Sequence, residues 1–152
     1  MSGAGGGRVV LVGFDDEPAA HRALDRGIAE VREHGGRLVV LIVAEMPLDP
    51  NAPRAYATPA DFDTIRAPLG PPPAIQPVIA AARERLHGVG VPVELRWAAG
   101  PPADEIIEVA GVVGAGLIVV GSHHHGMLGR LMGADVAADV QRHAPCEVVA
   151  VP

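Results

Sequence analysis

The apolar positions of this chain form two kinds of pattern that alternate along its length. Four short runs are continuously apolar, rich in Val and Ile, and lack the polar alternation of a strand with one face in water. These runs are residues 9–13, 38–44, 117–121 and 148–151. Continuous runs of this length are typical of strands buried on both faces, as in a parallel sheet. A fifth run, residues 91–98, alternates better and contains Pro92, which favours a strand near an edge of the sheet.

Between these runs, apolar residues recur three or four positions apart, which predicts amphipathic helices. In the first such segment, Asp16 or Glu17 is expected to cap the helix start, with Pro18 in the first turn. Gly35 is expected to end it. The core faces predicted for the four helices are Ala20, Leu24, Ile28 and Val31; Val78, Ala82 and Leu86; Ile106, Val109 and Val113; and Leu131, Val136 and Val140. Alternating buried strands and helices predict one doubly wound α/β sheet with right-handed crossovers.

A proline-rich segment, residues 46–73, interrupts the alternation. It holds eight of the fifteen prolines of the chain and is too long for an ordinary connection. We interpret it as a surface excursion, either a partly ordered insertion or a lid. Arg54, Tyr56 and Arg66 within it could contact a ligand or a partner.

Length, charge and cysteine content narrow the class of protein. The 152 residues suit one domain, with residues 1–7 as a flexible lead-in and residues 8–152 as the folded unit. The net charge of −6, without a cluster of Lys or Arg, argues against a nucleic-acid partner. No apolar stretch approaches the roughly 20 residues that span a bilayer, so we expect no membrane association. The chain has a single cysteine, Cys146, which fits a reducing compartment, so the cytoplasm is the predicted location. Cys146 itself is expected to be buried and inert.

Candidate chemistry lies where two predicted strands end. The first strand ends at Gly13 and is followed by Asp15 and Asp16, and the fourth ends at Gly121. Ligands of open parallel sheets bind beyond the carboxyl ends of strands, where the strand order reverses. If these strands are neighbours, the Asp15 carboxylate could accept a hydrogen bond from an adenine amino group or a ribose hydroxyl. The alternative is that both aspartates only help to cap the following helix.

Three consecutive histidines, residues 123–125, follow the fourth strand. With Asp15 or Asp135 they could form a metal site, but the chain has neither an H-E-x-x-H motif nor a pair of cysteines. A solvent-facing polar loop is the simpler interpretation, so no metal site is predicted. A Gly-x-Ser-x-Gly nucleophile elbow is also absent from the sequence, and we predict no catalytic residue.

After Arg8 the sequence resembles the universal stress proteins over essentially its whole length. The opening VVLVGFDDEPAAHRAL is similar to the V-x-x-D-G-S start and first helix of that family. The stretches LVVLIVAEMP and LIVVGSHHHG follow in the family's order. The ending QRHAPCEVVAVP is similar to R-H-A-P-C-P-V-L-V-V, and this match is the most specific because it fixes a helix end, a turn and a strand together.

The resemblance implies a fold, an assembly and a role. The fold is a flavodoxin-like α/β domain whose five parallel strands lie in the order 3-2-1-4-5, with helices on both faces. The assembly is a homodimer that pairs through the last strand, at Glu147, Val148, Val149, Ala150 and Val151. The role is that of a binding and signalling module in the stress response, and no established catalytic reaction comes with the family.

One subgroup of the family binds ATP through Gly-x-x-Gly, nine further residues, and Gly-Ser or Gly-Thr. Aligned without gaps, this chain keeps Gly121 but has His124, Ala134 and Asp135 at the other three positions. A carboxylate at position 135 would repel phosphate, so tight ATP binding is not expected. The adenine side of the crevice is better preserved, and ATP or AMP remains a possible ligand. The candidate nucleotide-binding residues are Gly13, Asp15, Val43, Val120, Gly121, His123, His124, Ala134, Asp135 and Val136.

Two other functions stay open from the sequence. The first is a slow ATPase in which His123 or His124 replaces the lost glycine contacts. The second is a metal-binding protein that uses the tract from His123 to His125.

Overall fold

The computed structural model of the chain describes residues 7–45, 70–122 and 135–152. Its sheet has five parallel strands in the order β3-β2-β1-β4-β5, which confirms the predicted fold. The strands are β1 (Val9–Gly13), β2 (Arg37–Glu45), β3 (Val93–Gly100), β4 (Ala115–Gly121) and β5 (Glu147–Val151). The alternating run around Pro92 is β3, and it lies at one edge of the sheet as predicted.

Helices cover both faces of the sheet. In the described part of the chain they are α1 (Pro18–His34), α2 (Gln76–Leu86), α3 (Pro102–Val113) and α4 (Val136–His143), with a 3-10 turn (Pro73–Ile75) before α2. Successive residues of a strand point to opposite faces. Val40 therefore packs into the cluster that contains residues of α1 and α2, whereas Val39 and Leu41 pack with residues of α3 and α4. Two cores explain why the central strands are continuously apolar.

The start and end of α1 agree in part with those predicted from the sequence. Pro18 is its first residue, and Gly35, at φ 79°, ends it by donating its N–H to the Val31 carbonyl at 2.8 Å. The N-cap position is Glu17, whose side chain makes no capping hydrogen bond. The carboxylate of Asp15 instead accepts the N–H of Glu17, at 3.1 Å. Neither aspartate caps the helix directly, because both lie in the turn that precedes it.

The predicted core faces of α1 and α3 are confirmed, except that Val113 is half-buried. The face predicted for α2 is confirmed at Ala82, which is buried, while Val78 and Leu86 are half-buried and pack against the same core. The prediction missed Ile79, which is buried. The 3-10 turn explains this difference, because it places a buried Ile75 four residues before Ile79 and extends the apolar stripe along that side.

Three further expectations concern α4, Cys146 and the proline-rich segment. In α4, Val140 is buried and Val136 is half-buried, while Leu131 lies outside the described residues. Cys146 is half-buried rather than buried, and desolvation raises the pKa of its thiol, which favours the uncharged form. Residues 46–69 of the proline-rich segment also lie outside the described residues. Within the described ranges, no helix has the length and apolar character needed to cross a membrane.

Candidate functional site

The central strand β1 is shorter than both of its neighbours at their carboxyl ends. Gly13, its last residue, pairs with Leu41, and β2 continues four residues further to Glu45. On the other side, Val12 pairs with Val119, and β4 continues to Gly121. A gap therefore opens beyond the end of β1, between β2 and β4. We call this gap the β1 notch, and it lies where the strand order reverses, the usual position of a ligand in an open parallel sheet.

Val43 presents its backbone to the β1 notch. The ladder between β1 and β2 closes with the N–H of Phe14 donating to the carbonyl of Leu41, at 2.9 Å. In a parallel ladder, the two backbone groups of a residue point to the same neighbouring strand, and the direction repeats every second residue. The N–H and C=O of Val43 therefore point towards β1, beyond its last residue. No backbone or side-chain group in the described part of the chain pairs with them.

The turn from β1 to α1 forms one side of the notch. Phe14 is buried, and the edge of its ring meets His21 with 4.9 Å between ring centroids. Asp16 adopts a left-handed backbone conformation, φ 67°, and its carboxylate lies 2.7 Å from Nε2 of His21. Asp15 is exposed at the mouth of the notch, where its bond to the N–H of Glu17 fixes the turn. The structure thus brings Asp15 and Gly121 to the same edge of the sheet, as the strand order requires.

Gly121 has a packing role that its place in the sequence did not indicate. A Cβ at this position would lie 2.9 Å from both the carbonyl carbon and the Cβ of Ala19, and 3.0 Å from the backbone nitrogen of Ala20. Most of these atoms belong to the backbone of α1, which cannot move aside easily. A glycine here therefore lets β4 pass close to the first turn of α1. Gly13 is less restricted, since its Cβ would meet Ile106 Cδ1 at 3.1 Å and Val120 Cγ1 at 3.5 Å.

Asp135 caps α4. Its Oδ1 accepts the N–H of Ala138 at 3.0 Å, the hydrogen bond expected of an N-cap aspartate. The amide and the positive end of the helix dipole, which would favour a phosphate here, already face a carboxylate. Val136 follows in the first turn, half-buried. Three other candidates, His123, His124 and Ala134, lie outside the described residues, as does the rest of the histidine tract. No group of three His, Cys, Asp or Glu side chains that could hold a metal ion occurs in the ranges that the structure describes.

The sequence did not single out Glu105, although it is the buried charged residue of the described structure. Its side chain lies in the first turn of α3 and the residue is 4% exposed. Burial, and to a lesser extent the neighbouring Glu108 and Asp104, raise the pKa of the Glu105 carboxyl to about 7. Its Oε1 is buried without a hydrogen-bond partner in the described part of the chain. In the sequence, Glu105 looks like an ordinary acidic residue in the first turn of a helix, where a negative charge interacts favourably with the helix dipole. Asp104, in the same turn, is exposed as such a residue usually is, whereas Glu105 is buried.

Comparison with known proteins identifies the family of this chain. The model of the universal stress protein family matches residues 7–152. The chain belongs to the universal stress protein family. Universal stress protein Rv1636 of Mycobacterium tuberculosis is 34% identical to it over 146 residues, which is 95% of each chain. The resemblance seen in the closing QRHAPCEVVAVP is thereby confirmed.

Solved structures of the family share the fold. A universal stress protein in complex with cAMP superimposes with a TM-score of 0.68 and 25% identity, over 97% of this chain and 98% of the other. A universal stress protein from Archaeoglobus fulgidus in complex with dAMP gives a TM-score of 0.59 and 22% identity, over 95% and 97% of the two chains. At that lower identity the likeness concerns the fold alone.

Proposed function

We propose that this member of the universal stress protein family binds an adenine nucleotide in the β1 notch and acts as a binding and signalling module. The observation that supports this most directly is the backbone of Val43, whose N–H and C=O point side by side into the notch. Adenine presents the complementary pair on one edge, because N1 accepts a hydrogen bond and the adjacent amino group donates one. Backbone N–H and C=O groups are strong hydrogen-bonding groups, so a ligand with this pattern would pair with both.

The ligands of the two related structures support the same choice of base. One relative is in complex with cAMP and the other with dAMP, and both ligands are adenine nucleotides with a single phosphate. In this chain, Asp15 would then lie near the ribose, and Gly13, Val120 and Gly121 would line the notch. His123, His124 and Ala134 complete the candidate set, with Asp135 and Val136 at the start of α4.

The negative charge of Asp135 determines which adenine nucleotide we expect to bind more tightly. A carboxylate that already occupies the start of α4 repels a second anion at that place. A triphosphate brings more negative charge towards the helix than a monophosphate does. We therefore propose that AMP binds more tightly than ATP, and that ATP binding is weak.

Titration calorimetry with AMP, ADP and ATP, each with and without Mg²⁺, tests this proposal. We expect saturable AMP binding and an affinity for ATP lower by about ten-fold, equivalent to about 1.4 kcal/mol. Asp135→Ser should narrow that difference, whereas Asp139→Ser, which removes the same charge four residues further along the same helix, should leave it nearly unchanged. Low-micromolar ATP binding by the wild type would overturn the phosphate argument. Absence of binding by any of the three nucleotides would overturn the proposed function.

We propose further that the protein binds the nucleotide without hydrolysing it. A slow ATPase using His123 or His124 is the competing function. Phosphate release from ATP, followed over hours at high protein concentration, separates the two. Release above background that disappears in His123→Ala or His124→Ala would establish the enzyme instead.

A homodimer that forms through β5 is part of the same proposal. This strand lies at the sheet edge opposite to β3, and Val148, Val149, Ala150 and Val151 are all half-buried. Pairing with a twofold-related copy would cover an exposed edge. We also propose a cytoplasmic location, which a single cysteine in 152 residues supports and cell fractionation tests.

A further inference from the structure

The turn that leads from β1 into α1 contains a residue in a conformation that side chains disfavour. Asp16 has a φ of 67°, in the left-handed region, and it is the one residue other than glycine with a positive φ in the described part of the chain. A Cβ makes this region less favourable than the right-handed one, and aspartate tolerates it less well than glycine does. The conformation of Asp16 therefore depends on an interaction that favours it over the alternatives.

His21, near the start of α1, supplies such an interaction. Its Nε2 lies 2.7 Å from Oδ1 of Asp16. The edge of its ring meets the buried Phe14, with 4.9 Å between ring centroids. His21 thus contacts the residues on both sides of Asp15. The Asp15 carboxylate accepts the N–H of Glu17 at 3.1 Å, so it belongs to the same short turn.

The second ring nitrogen of His21 indicates that the ring does more than fill space. A carboxylate can only accept a hydrogen bond, so Nε2 carries a proton in the pair with Asp16. Nδ1 is buried and has no hydrogen-bond partner in the described ranges. A phenylalanine would fill nearly the same space without leaving a buried polar atom unpaired. What the histidine adds is the hydrogen bond from Nε2 to Asp16.

We propose that His21 is a positioning residue of the β1 notch, whose hydrogen bond to Asp16 holds the turn after β1 in the shape that places Asp15 beside a bound nucleotide. The inference rests on the proposed nucleotide site. The notch opens because β1 ends at Gly13 and the chain turns away through Asp16. His21 acts through Asp16 and touches no part of the nucleotide. If the turn keeps this shape in only a fraction of the molecules, the apparent affinity for the ligand falls by that fraction.

The first test removes the hydrogen bond and keeps the ring. His21→Phe retains an aromatic side chain against Phe14 but has no donor for Asp16. We expect titration calorimetry to show an AMP affinity lower by about three- to ten-fold, because fewer molecules hold the turn in the binding shape. His34→Phe, the same substitution at the other end of α1, should leave the affinity unchanged. An unchanged AMP affinity in His21→Phe would overturn the role of His21.

Asp16→Gly separates positioning from a direct contact with the nucleotide. Glycine adopts a positive φ without help, so the variant should bind AMP within about two-fold of the wild type. In that background the turn no longer depends on His21, and adding His21→Phe should lower the affinity no further. A loss as large as in the wild-type background would mean that His21 contacts the nucleotide or supports the fold in general. Either result would overturn the positioning role.

A measurement without nucleotide keeps this inference separate from the proposed function. Urea denaturation of the wild type, His21→Phe, Asp16→Gly and the double variant forms a double-mutant cycle. We expect His21→Phe to lower the denaturation midpoint more with aspartate at position 16 than with glycine there. Equal effects in the two backgrounds would overturn the hydrogen bond as the support of the turn. If the cycle shows the coupling but the wild type binds no adenine nucleotide, the proposed function fails and the positioning role with it, whereas the bond between His21 and Asp16 stands.

Discussion

Glycine at position 121 is a residue whose stability effect can be separated from any ligand. A methyl group there would press on the backbone of α1 at Ala19 and Ala20, at 2.9 to 3.0 Å. We expect Gly121→Ala to lower the free energy of unfolding by about 1–3 kcal/mol, the usual cost of overpacking. Urea denaturation of wild type and variant, in the absence of nucleotide, measures the difference.

Gly111 provides the matched control for that substitution. It lies inside α3, and a Cβ on it would meet nothing within 4 Å. Gly111→Ala should therefore stabilise the protein by about 0.5–1 kcal/mol through helix propensity alone. If Gly121→Ala were as harmless as Gly111→Ala, the close approach of β4 to α1 would not be the reason for the glycine.

The carboxyl of Glu105 should make stability depend on pH. Its pKa is about 7 in the folded protein and near 4.5 when unfolded, so between these values the folded state holds a proton that the unfolded state has released. The extra proton of the folded state therefore contributes fully to the free energy of unfolding below pH 4.5, and this contribution is lost as the pH rises from 4.5 to about 7. The loss is on the order of 2 to 3 kcal/mol, and above pH 7 it changes no further.

Glu105→Gln isolates this contribution, because every other titrating group is shared with the wild type. We expect the variant to be more stable than the wild type by less than about 1 kcal/mol at pH 5 and by about 2 to 3 kcal/mol at pH 8. Urea denaturation at four pH values between 5 and 8 measures this, with Glu84→Gln on the exposed side of α2 as the control. Parallel stability profiles for wild type and Glu105→Gln would show that the carboxyl is not desolvated.

Among the elements, α4 depends on its cap. Asp135 is the N-cap of an eight-residue helix, and its bond to the N–H of Ala138 satisfies an amide that the helix itself leaves unpaired. We expect Asp135→Ala to destabilise the protein by about 1 kcal/mol and Asp135→Ser to change its stability by less than about 0.5 kcal/mol. Denaturation midpoints measure both variants. Equal losses in both would mean that the charge of Asp135, and not its hydrogen bond, stabilises α4.

The elements themselves were largely predictable from the sequence, and the reasons are physical. β1, β2 and β4 are buried on both faces, which forces continuous apolar runs, whereas the edge strand β3 shows an alternating pattern. Glycine at the ends of α1 and α3 marks positions that adopt a positive φ, 79° at Gly35 and 68° at Gly114. These signals are local, so the order of the elements follows from them. The strand order came from the family resemblance.

The burial of Ile79 in α2 was not predicted, because Val78 and Ile79 are adjacent and both apolar. Spacing alone does not choose between them. The choice depends on Ile75 in the preceding turn, which the apolar pattern of α2 does not include.

The site was less predictable, because it depends on the relative lengths of neighbouring strands. Val43 faces the β1 notch only because β1 ends at Gly13, the residue that pairs with Leu41. The apolar pattern does not reveal which residues of β1 and β2 pair. Glu105 was missed for a related reason. Its burial depends on Gly100, which leaves room for the carboxyl at the end of another strand.

For the whole molecule, the proposed dimer has a specific test in the backbone direction of β5. The N–H of Ser122 donates to the carbonyl of Val151, so Val151 faces β4 and the alternate residues Val148 and Ala150 direct their N–H groups to the free edge. Ala150→Pro removes one of these donors without touching the β4 ladder. We expect a folded monomer from Ala150→Pro and a dimer from wild type and Ala150→Val, measured by light scattering after gel filtration. A dimeric Ala150→Pro protein would place the interface elsewhere.

The central claim is that the gap beyond the short β1 strand holds an adenine nucleotide. A crystal structure of the protein with AMP at saturating concentration tests it most directly. We expect the adenine in the β1 notch, with N1 and the amino group within hydrogen-bonding distance of the N–H and C=O of Val43 and the ribose beside Asp15. A notch without nucleotide density in such a crystal, or AMP bound on another surface of the sheet, would contradict the account.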